Sequence, residues 1–394
     1  MLHLGPMTLA TFVSADMRRL LDQTMPQLND FKIIVEPPSA VSRPVLPRIR
    51  IRPERLPALR YLHIEGAVLL CESLSQLRRL ELRNPAFAPL GHTFDEFLTT
   101  LSTGQALQEL VLENYMGRMD AEGSTSLHFW LAMCKTAFVK DTAQNLYRLL
   151  SHLCGIPEDV NLEVFPSADI PGDLEVLPLR GLIHSRHLPV HCAIFRFTSN
   201  GVQLICSGSE HRITIEYCVA SPVLVDATYS MHNVALRVLM RFLDFMHVST
   251  LEIAGPADIV DLQAWFDLLA LTPNVRELVI KQQGQGELVS DIFTALASLS
   301  GQASETPVRC PHLKDVKVHS TMYSSLLIDT IGRSARWRAE YRGPFRSLDL
   351  LLAPRRDGNS CCGFASDATR RWAAELQANK YVDRVVVKDA IDRV

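Results

Sequence analysis

A spaced apolar triplet, apolar-x-x-apolar-x-apolar, recurs along the chain. Its first copies are Leu28-Phe31-Ile33, Leu59-Leu62-Ile64, Leu77-Leu80-Leu82 and Leu107-Leu110-Leu112. Later copies are Val248-Leu251-Ile253, Val275-Leu278-Ile280, Leu313-Val316-Val318, Phe345-Leu348-Leu350 and Val382-Val385-Val387. The last two apolar positions alternate with polar ones, as in LRYLHIEG, LRRLELRN and LQELVLEN. This period of two predicts that each triplet ends in a short strand with one buried face. Between the strands the period lengthens to that of a helix. Phe94, Phe97, Leu98 and Leu101 form one stripe, and Leu262, Trp265, Phe266 and Leu269 another. Leu236, Leu239, Met240 and Leu243 form a third, and Leu288, Ile292, Leu296 and Leu299 a fourth, stopped by Gly301. Strand, turn, helix, turn, strand implies parallel neighbouring strands, because the helix returns the chain to the same end. In the second half the middle triplet residues advance by 27, 38, 32 and 37 residues. A repeat array with uneven helix and loop lengths produces such steps. The expected fold class is α/β, an irregular solenoid in which stacking buries faces that no single unit can bury alone.

The middle of the chain departs from this alternation. Residues 126–155 read as helical, closed by Gly155 and Pro157. CAIFRF and VQLICS flank Ser199-Asn200-Gly201, and HRITIEYC follows. Asn-Gly between two apolar runs is a strong hairpin signal. The hairpin is expected to be an insertion between two repeat halves, with a triplet remnant at Val160-Leu162-Val164. The expected division is an N-terminal repeat half at 1–125, a helical segment with the hairpin at 126–230, and a C-terminal repeat half at 231–394, forming one continuous solenoid.

LPALRYLHIEG, LSQLRRLELRNP and ALQELVLENY resemble the strand segments of leucine-rich repeat proteins. With the irregular period, the phrases LTPNVRELVI and CPHLKDVKVHS, and DVNLEVFPS after a helix, the chain resembles the diverged fungal F-box proteins that carry such repeats. The likeness covers most of the chain outside roughly residues 126–230. It implies a leucine-rich-repeat-like solenoid and a role in recognising substrates for ubiquitin ligation. Two features depart from that family. The asparagine three residues after the last strand leucine is replaced by Ala67, Pro85 and Tyr115. No F-box is visible in the first fifty residues, and Leu2-His3-Leu4 reads like the end of a repeat strand. The chain is therefore expected to begin within the array, and the ligase role requires an F-box supplied upstream.

Composition narrows the classes further. The 394 residues carry a net charge of −3, with 47% apolar and 21% charged residues. That describes an ordinary globular chain and argues against a surface built wholly for nucleic acid or an anionic membrane. Nine irregularly spaced cysteines do not make a secreted disulfide framework, so a reducing intracellular location, cytoplasmic or nuclear, is expected. The adjacent Cys361 and Cys362 are read as ordinary thiols. No stretch suits a transmembrane helix, and the N-terminus lacks the basic start of a signal peptide.

Candidate chemistry is sparse. His184, His187, His191 and Cys192 offer four zinc-type donors within nine residues, HSRHLPVHC, but in no zinc spacing; chance histidines in a loop are the reading taken, with a metal site as its alternative. Gly284 and Gly286 follow an expected strand, yet the third glycine of a dinucleotide loop is Val289. No Gly-Lys-Ser/Thr, Gly-x-Ser-x-Gly or His-Glu-x-x-His motif occurs. No cofactor, metal or catalytic residue is expected. Two basic runs stand out: Arg43, Arg48, Arg50, Arg52, Arg55 and Arg60 around Glu54, and Arg333, Arg336, Arg338, Arg342 and Arg346 interleaved with Trp337 and Tyr341. Such mixtures bind nucleic acid in some proteins, but a solvated face or a patch for an acidic protein fits this slightly acidic chain better.

The strand positions between the apolar ones remain. They are Tyr61, His63 and Glu65; Arg79, Glu81 and Arg83; Glu109, Val111 and Glu113; Glu277, Val279 and Lys281; and Asp315, Lys317 and His319. Stacked in parallel they make a mixed-charge face of the kind solenoids use to bind proteins, set against a role in solubility alone. Non-catalytic protein recognition is thus the expected function. The alternative is a doubly wound α/β enzyme, which requires a reversal in strand order.

Overall fold

The computed structural model describes residues 1–36, 48–84, 93–116, 129–155, 157, 159–167, 190–198, 201–208, 212–218, 231–242, 245–255, 260–282, 288–297, 309–320, 325–352 and 363–389. They fall into two compact units, one holding residues up to 167 with 212–216, the other holding 190–208 and the chain from 217 onward.

In the first unit β1 (Leu2–Met7) leads into two short helices, α1 (Leu9–Phe12) and α2 (Ala15–Leu21). Then follow β2 (Asp30–Val35), β3 (Arg48–Ile51), β4 (Tyr61–Glu65), β5 (Val68–Cys71), β6 (Arg79–Arg83), α3 (Phe94–Ser102) and β7 (Glu109–Glu113). β8 (Phe129–Trp130), β9 (Thr136–Thr142), α4 (Ala143–Ser151), β10 (Leu153–Gly155) and β11 (Asn161–Ser167) complete this run. The main sheet has the order β1-β2-β4-β6-β7-β9-β11, with parallel pairing from β1 to β11. Two small parallel pairs, β3 with β5 and β8 with β10, stand apart from it.

The second unit opens with β12 (Cys192–Thr198) and β13 (Gly201–Ser207), an antiparallel hairpin in which Thr198 faces Gly201. The next strand, β14 (Arg212–Cys218), lies beside β11, and most of it belongs to the first unit. The second unit continues with α5 (Met231–Phe242), β15 (Thr250–Gly255), α6 (Leu262–Leu271), β16 (Glu277–Gln282), α7 (Leu288–Ala297) and β17 (Asp315–Ser320). It ends with α8 (Ser325–Tyr341), β18 (Phe345–Leu352), α9 (Gly363–Ala378) and β19 (Val382–Asp389). Its order is β13-β12-β15-β16-β17-β18-β19, parallel from β12 onward. Each unit is therefore α/β, with a mostly parallel sheet; strands neighbour one another in chain order throughout the first unit and from β15 to β19 in the second, where the β12–β13 hairpin reverses the order.

The triplets supply the sheet side of each core. Leu62 and Ile64, Leu80 and Leu82, Leu110 and Leu112 are buried, as are Leu251 and Ile253, Leu278 and Ile280, and Val316 and Val318. Fully burying one such side chain contributes roughly 1.5–3 kcal/mol, so the pattern alone commits the strands to one facing. Val385 and Val387 are the exception; they stay half-buried because β19 is the last strand of its sheet. Helix stripes meet the strands: Phe94, Phe97, Leu98 and Leu101 in α3 as expected, whereas the buried face of α6 is Ala264, Trp265, Leu268 and Leu269, with the expected Leu262 and Phe266 only half-buried at its margin. The third stripe lies on α5 up to Met240, and Leu243 is outside the described residues; the fourth lies on α7, which ends at Ala297.

Repetition extends to the backbone. The first apolar residue of a triplet closes a tight turn, as where the Leu59, Leu77 and Leu313 N–H groups donate to the Leu56, Leu74 and Cys310 carbonyls. At each strand start one carbonyl then accepts from two consecutive N–H groups of the next strand. Asn29 accepts from Arg60 and Tyr61, Arg60 from Arg78 and Arg79, Ser249 from Arg276 and Glu277, and Arg276 from Lys314 and Asp315. Two residues past the last strand apolar position the chain turns through positive φ at Gly66, Asn84, Asn114 and Gly255. Asparagine tolerates this conformation better than most residues. The Asn114 side-chain amide also donates to the Asn84 side-chain carbonyl at 2.9 Å. At the expected asparagine position, Ala67 is buried, Pro85 is outside the described residues, and Tyr115 sends its hydroxyl to accept from the Leu69 N–H at 2.9 Å.

Two expectations for the middle need correction. The stretch 126–155 is helical only over Ala143–Ser151; Thr136–Thr142 is a strand of the main sheet. Alternation decides this, with Ala137 and Val139 buried between more exposed Thr136, Phe138 and Lys140, and the Thr142 side chain then caps α4 by accepting from the Asn145 N–H. Cys134-Ala137-Val139 is a repeat triplet built from small residues. The hairpin forms as expected, but it is not an insertion, because β12 pairs in parallel with β15 and belongs to the sheet. Val160, Leu162 and Val164 are buried, and β11 pairs in parallel with β9, as a repeat strand would.

Candidate functional site

Parallel in-register pairing lines the polar strand positions into rows. In the first unit one row runs Asp30, Tyr61, Arg79, Glu109, Thr136, and the next runs Lys32, His63, Glu81, Val111, Phe138, Glu163. A third runs Glu65, Arg83, Glu113, Lys140, Phe165. Seven of the eight first-unit candidate residues meet in one charged network. Arg79 bridges Glu109 at 3.1 Å and also pairs with Glu81; Arg83 bridges Glu113 at 3.1 Å, and Lys140 reaches the same carboxylate at 3.0 Å. His63 Nδ1 lies 2.7 Å from Glu81 Oε2, and its Nε2 lies 3.6 Å from Glu65. An ionised carboxylate only accepts, so the Nδ1 proton points at Glu81. That hydrogen bond holds the Glu81 carboxyl down to about 2, against burial that pushes it up and with Arg79 assisting. Tyr61 stands at the edge of this network, exposed.

In the second unit the candidates pair one to one. Lys281 bridges Glu252 at 2.7 Å and Lys317 bridges Glu277 at 2.6 Å. Asp315 accepts from Arg346 Nε at 2.9 Å and from the Ser347 hydroxyl at 2.8 Å. Burial pushes the Asp315 carboxyl up, but these partners outweigh it and hold it below its ordinary value; Glu277 raises Lys317. His319 lies in register with Lys281 on the neighbouring strand.

Part of this face was hidden from the sequence. Phe138 and Phe165 sit half-buried on it, their ring centroids 4.9 Å apart, with Val111 beside Phe138 in the same row. They lie on β9 and β11, the strands whose triplets are built from Cys134, Ala137, Val160, Leu162 and Val164, and the alternation T-A-F-V-K-D was the only signal available. Lys140, Glu252 and Arg346, partners of the candidate residues, were missed as well.

His184, His187, Gly284, Gly286, Cys361 and Cys362 lie outside the described residues. His191 acts through its backbone, its carbonyl accepting from Ser249 and Thr250. Among the described residues no group of three or more His, Cys, Asp or Glu side chains is placed to hold a metal ion, and no helix is long and apolar enough to cross a membrane. Of the second basic run, Arg338 is buried, where its Nη2 donates to the Cys310, Pro311 and Leu313 carbonyls at 3.1, 3.2 and 2.7 Å, and Arg346 is tied to Asp315. The chain matches no protein-family model, no curated protein and no solved structure.

Proposed function

We propose that the chain is an irregular leucine-rich-repeat-like solenoid that recognises a protein partner through the polar face of its strands, in a reducing intracellular location. As the resemblance implies, the partner is a substrate presented for ubiquitin ligation, provided that an F-box is supplied upstream. The observation that carries this reading is the half-buried Phe138–Phe165 pair, flanked on its own sheet face by the Arg79–Glu81–Arg83–Glu113–Lys140 network. An aromatic anchor ringed by charged residues is the usual anatomy of a binding hot spot. Most of the ion pairs are partly exposed, and such pairs contribute only about 0–1 kcal/mol each to stability. Apart from the pairs of the buried Glu81, their arrangement across strands therefore adds little to the stability of the fold.

The strand order is sequential from β1 to β11 and again from β15 to β19, and the one reversal falls at the antiparallel β12–β13 hairpin rather than between two parallel strand–helix units, which supports this reading over a doubly wound enzyme. The test is affinity capture with the full chain, read by mass spectrometry against Phe138→Ala/Phe165→Ala. The expected result is a specific protein bound by the parent chain, lost with the double variant, and ubiquitinated in cells in a manner that depends on the chain. Capture that the double variant retains, or no protein above background, would overturn the reading.

A further inference from the structure

Arg50, Arg52 and Arg55 of the first basic run line a cleft on the first unit. Along β3 the side chains alternate, Ile49 and Ile51 buried and Arg48 and Arg50 turned outward, with Arg52 exposed just beyond. Opposite lies α2, which buries none of its residues. Between them is a cavity of about 40 Å³ with an apolar floor of Leu21, Met25, Leu28, Phe31 and Leu56. Arg50, Arg52 and Arg55 line its rim.

Donors exceed acceptors at this rim. Asp22 is the one acidic residue in the lining, and Arg55 already holds it at 2.7 Å. Arg50 bridges Glu72 at 2.9 Å, with both side chains more than half exposed. The Arg52 side chain makes no hydrogen bond or ion pair among the described residues; its carbonyl accepts from the Arg55 N–H at 3.0 Å. A guanidinium offers five N–H donors in a planar fork that matches a carboxylate.

We propose that this cleft docks an acidic peptide segment, its carboxylates on Arg50 and Arg52 and one aliphatic side chain on the Leu21–Phe31 floor. The proposal rests on the protein-recognition reading and adds to it a second contact, away from the Phe138–Phe165 pair. The floor is apolar and the basic rim is short, which suits a peptide better than a long polyanion.

The test is fluorescence anisotropy with the full chain and a labelled peptide Glu-Glu-Leu-Glu-Glu. A Lys-Lys-Leu-Lys-Lys peptide, a uridine oligonucleotide and phosphatidylserine vesicles serve as the other probes. The expected result is saturable binding of the glutamate peptide alone. Arg52→Glu should weaken it about tenfold, the loss of one charge-assisted contact. The Arg52 side chain has no partner to lose, so the variant should keep its far-UV circular dichroism; Arg50→Gln provides a milder second variant. Undiminished binding to Arg52→Glu, tighter binding of the oligonucleotide or vesicles, or no peptide binding would overturn the proposal. Peptide binding that survives Phe138→Ala/Phe165→Ala while protein capture also survives would overturn the strand-face reading and leave the cleft standing; the converse pattern would remove the cleft alone.

Discussion

Glu81 occupies the centre of the first-unit charge network with a side chain only 9% exposed, and its carboxyl is held at about 2 against an ordinary 4.5. The folded protein thus binds this proton less readily than the unfolded chain does. The stability it contributes is complete above about pH 4.5 and is lost as pH falls toward 2. Glu81→Gln is expected to lower stability by about 3 kcal/mol at pH 7 and to flatten the acid limb. Urea midpoints measured from pH 7 to 3 check this, and an unchanged acid slope in the variant would refute it. At the same scale, Gly66 and Gly343 separate two costs of an added Cβ. Both have positive φ, but a Cβ at Gly66 would lie 1.9 Å from the Val35 carbonyl oxygen, whereas one at Gly343 meets nothing within 4 Å. Gly343→Ala should therefore cost only the left-handed backbone penalty, about 1–2 kcal/mol, and Gly66→Ala clearly more. Equal shifts in denaturation midpoint would show that the Val35 carbonyl moves away without cost.

Braces between neighbouring repeats do at the scale of elements what a regular asparagine ladder would have done. The Tyr115 hydroxyl satisfies the Leu69 N–H, the Gln76 amide reaches the Leu56 carbonyl at 2.9 Å, and the Asn274 amide reaches the Met246 carbonyl at 2.7 Å. Tyr115→Phe keeps the buried ring and orphans the Leu69 N–H, so a loss of about 1–3 kcal/mol is expected, with faster amide exchange at Leu69. Unchanged exchange there would mean the N–H finds another acceptor. These braces explain what could and could not be read in advance. The nine strand triplets and the α3 and α6 stripes were legible because large apolar residues at fixed spacing leave only one facing that buries them. β9 was not, because Cys134 and Ala137 are too small to mark a strand and the neighbouring apolar residues mimic a helix stripe. The Asn84–Asn114 link was missed because it depends on backbone conformation two residues past the strand, which spacing does not encode. The charged face was legible as positions; the Phe138–Phe165 pair on it was not, because β9 read as helix and Phe138 therefore had no place in a strand row beside β11.

Outside the β12–β14 stretch, both units use the same device: a tight turn, a shared carbonyl at the strand start, and a strand laid beside its predecessor in chain order. If stability is carried mainly by such neighbour-to-neighbour interfaces, losing the last repeat should be felt only by the one before it. β19 pairs with β18, and α9 packs on β19 and α8. A chain ending at residue 352 should then fold, with β18 amides exchanging faster while those of β15, β16 and β17 stay within about threefold of the full chain. In a doubly wound domain with one shared core, the same cut removes an outer strand and helix from a single cooperative unit, and protection falls throughout. Hydrogen exchange read by mass spectrometry separates the two. Protection lost evenly from β15 to β18 would speak against the stacked-repeat reading, and with it against an extended strand face as the recognition surface. Protection lost at β18 alone would favour repeats that stack in register and carry their polar positions with them, which is the geometry a row of recognition residues needs.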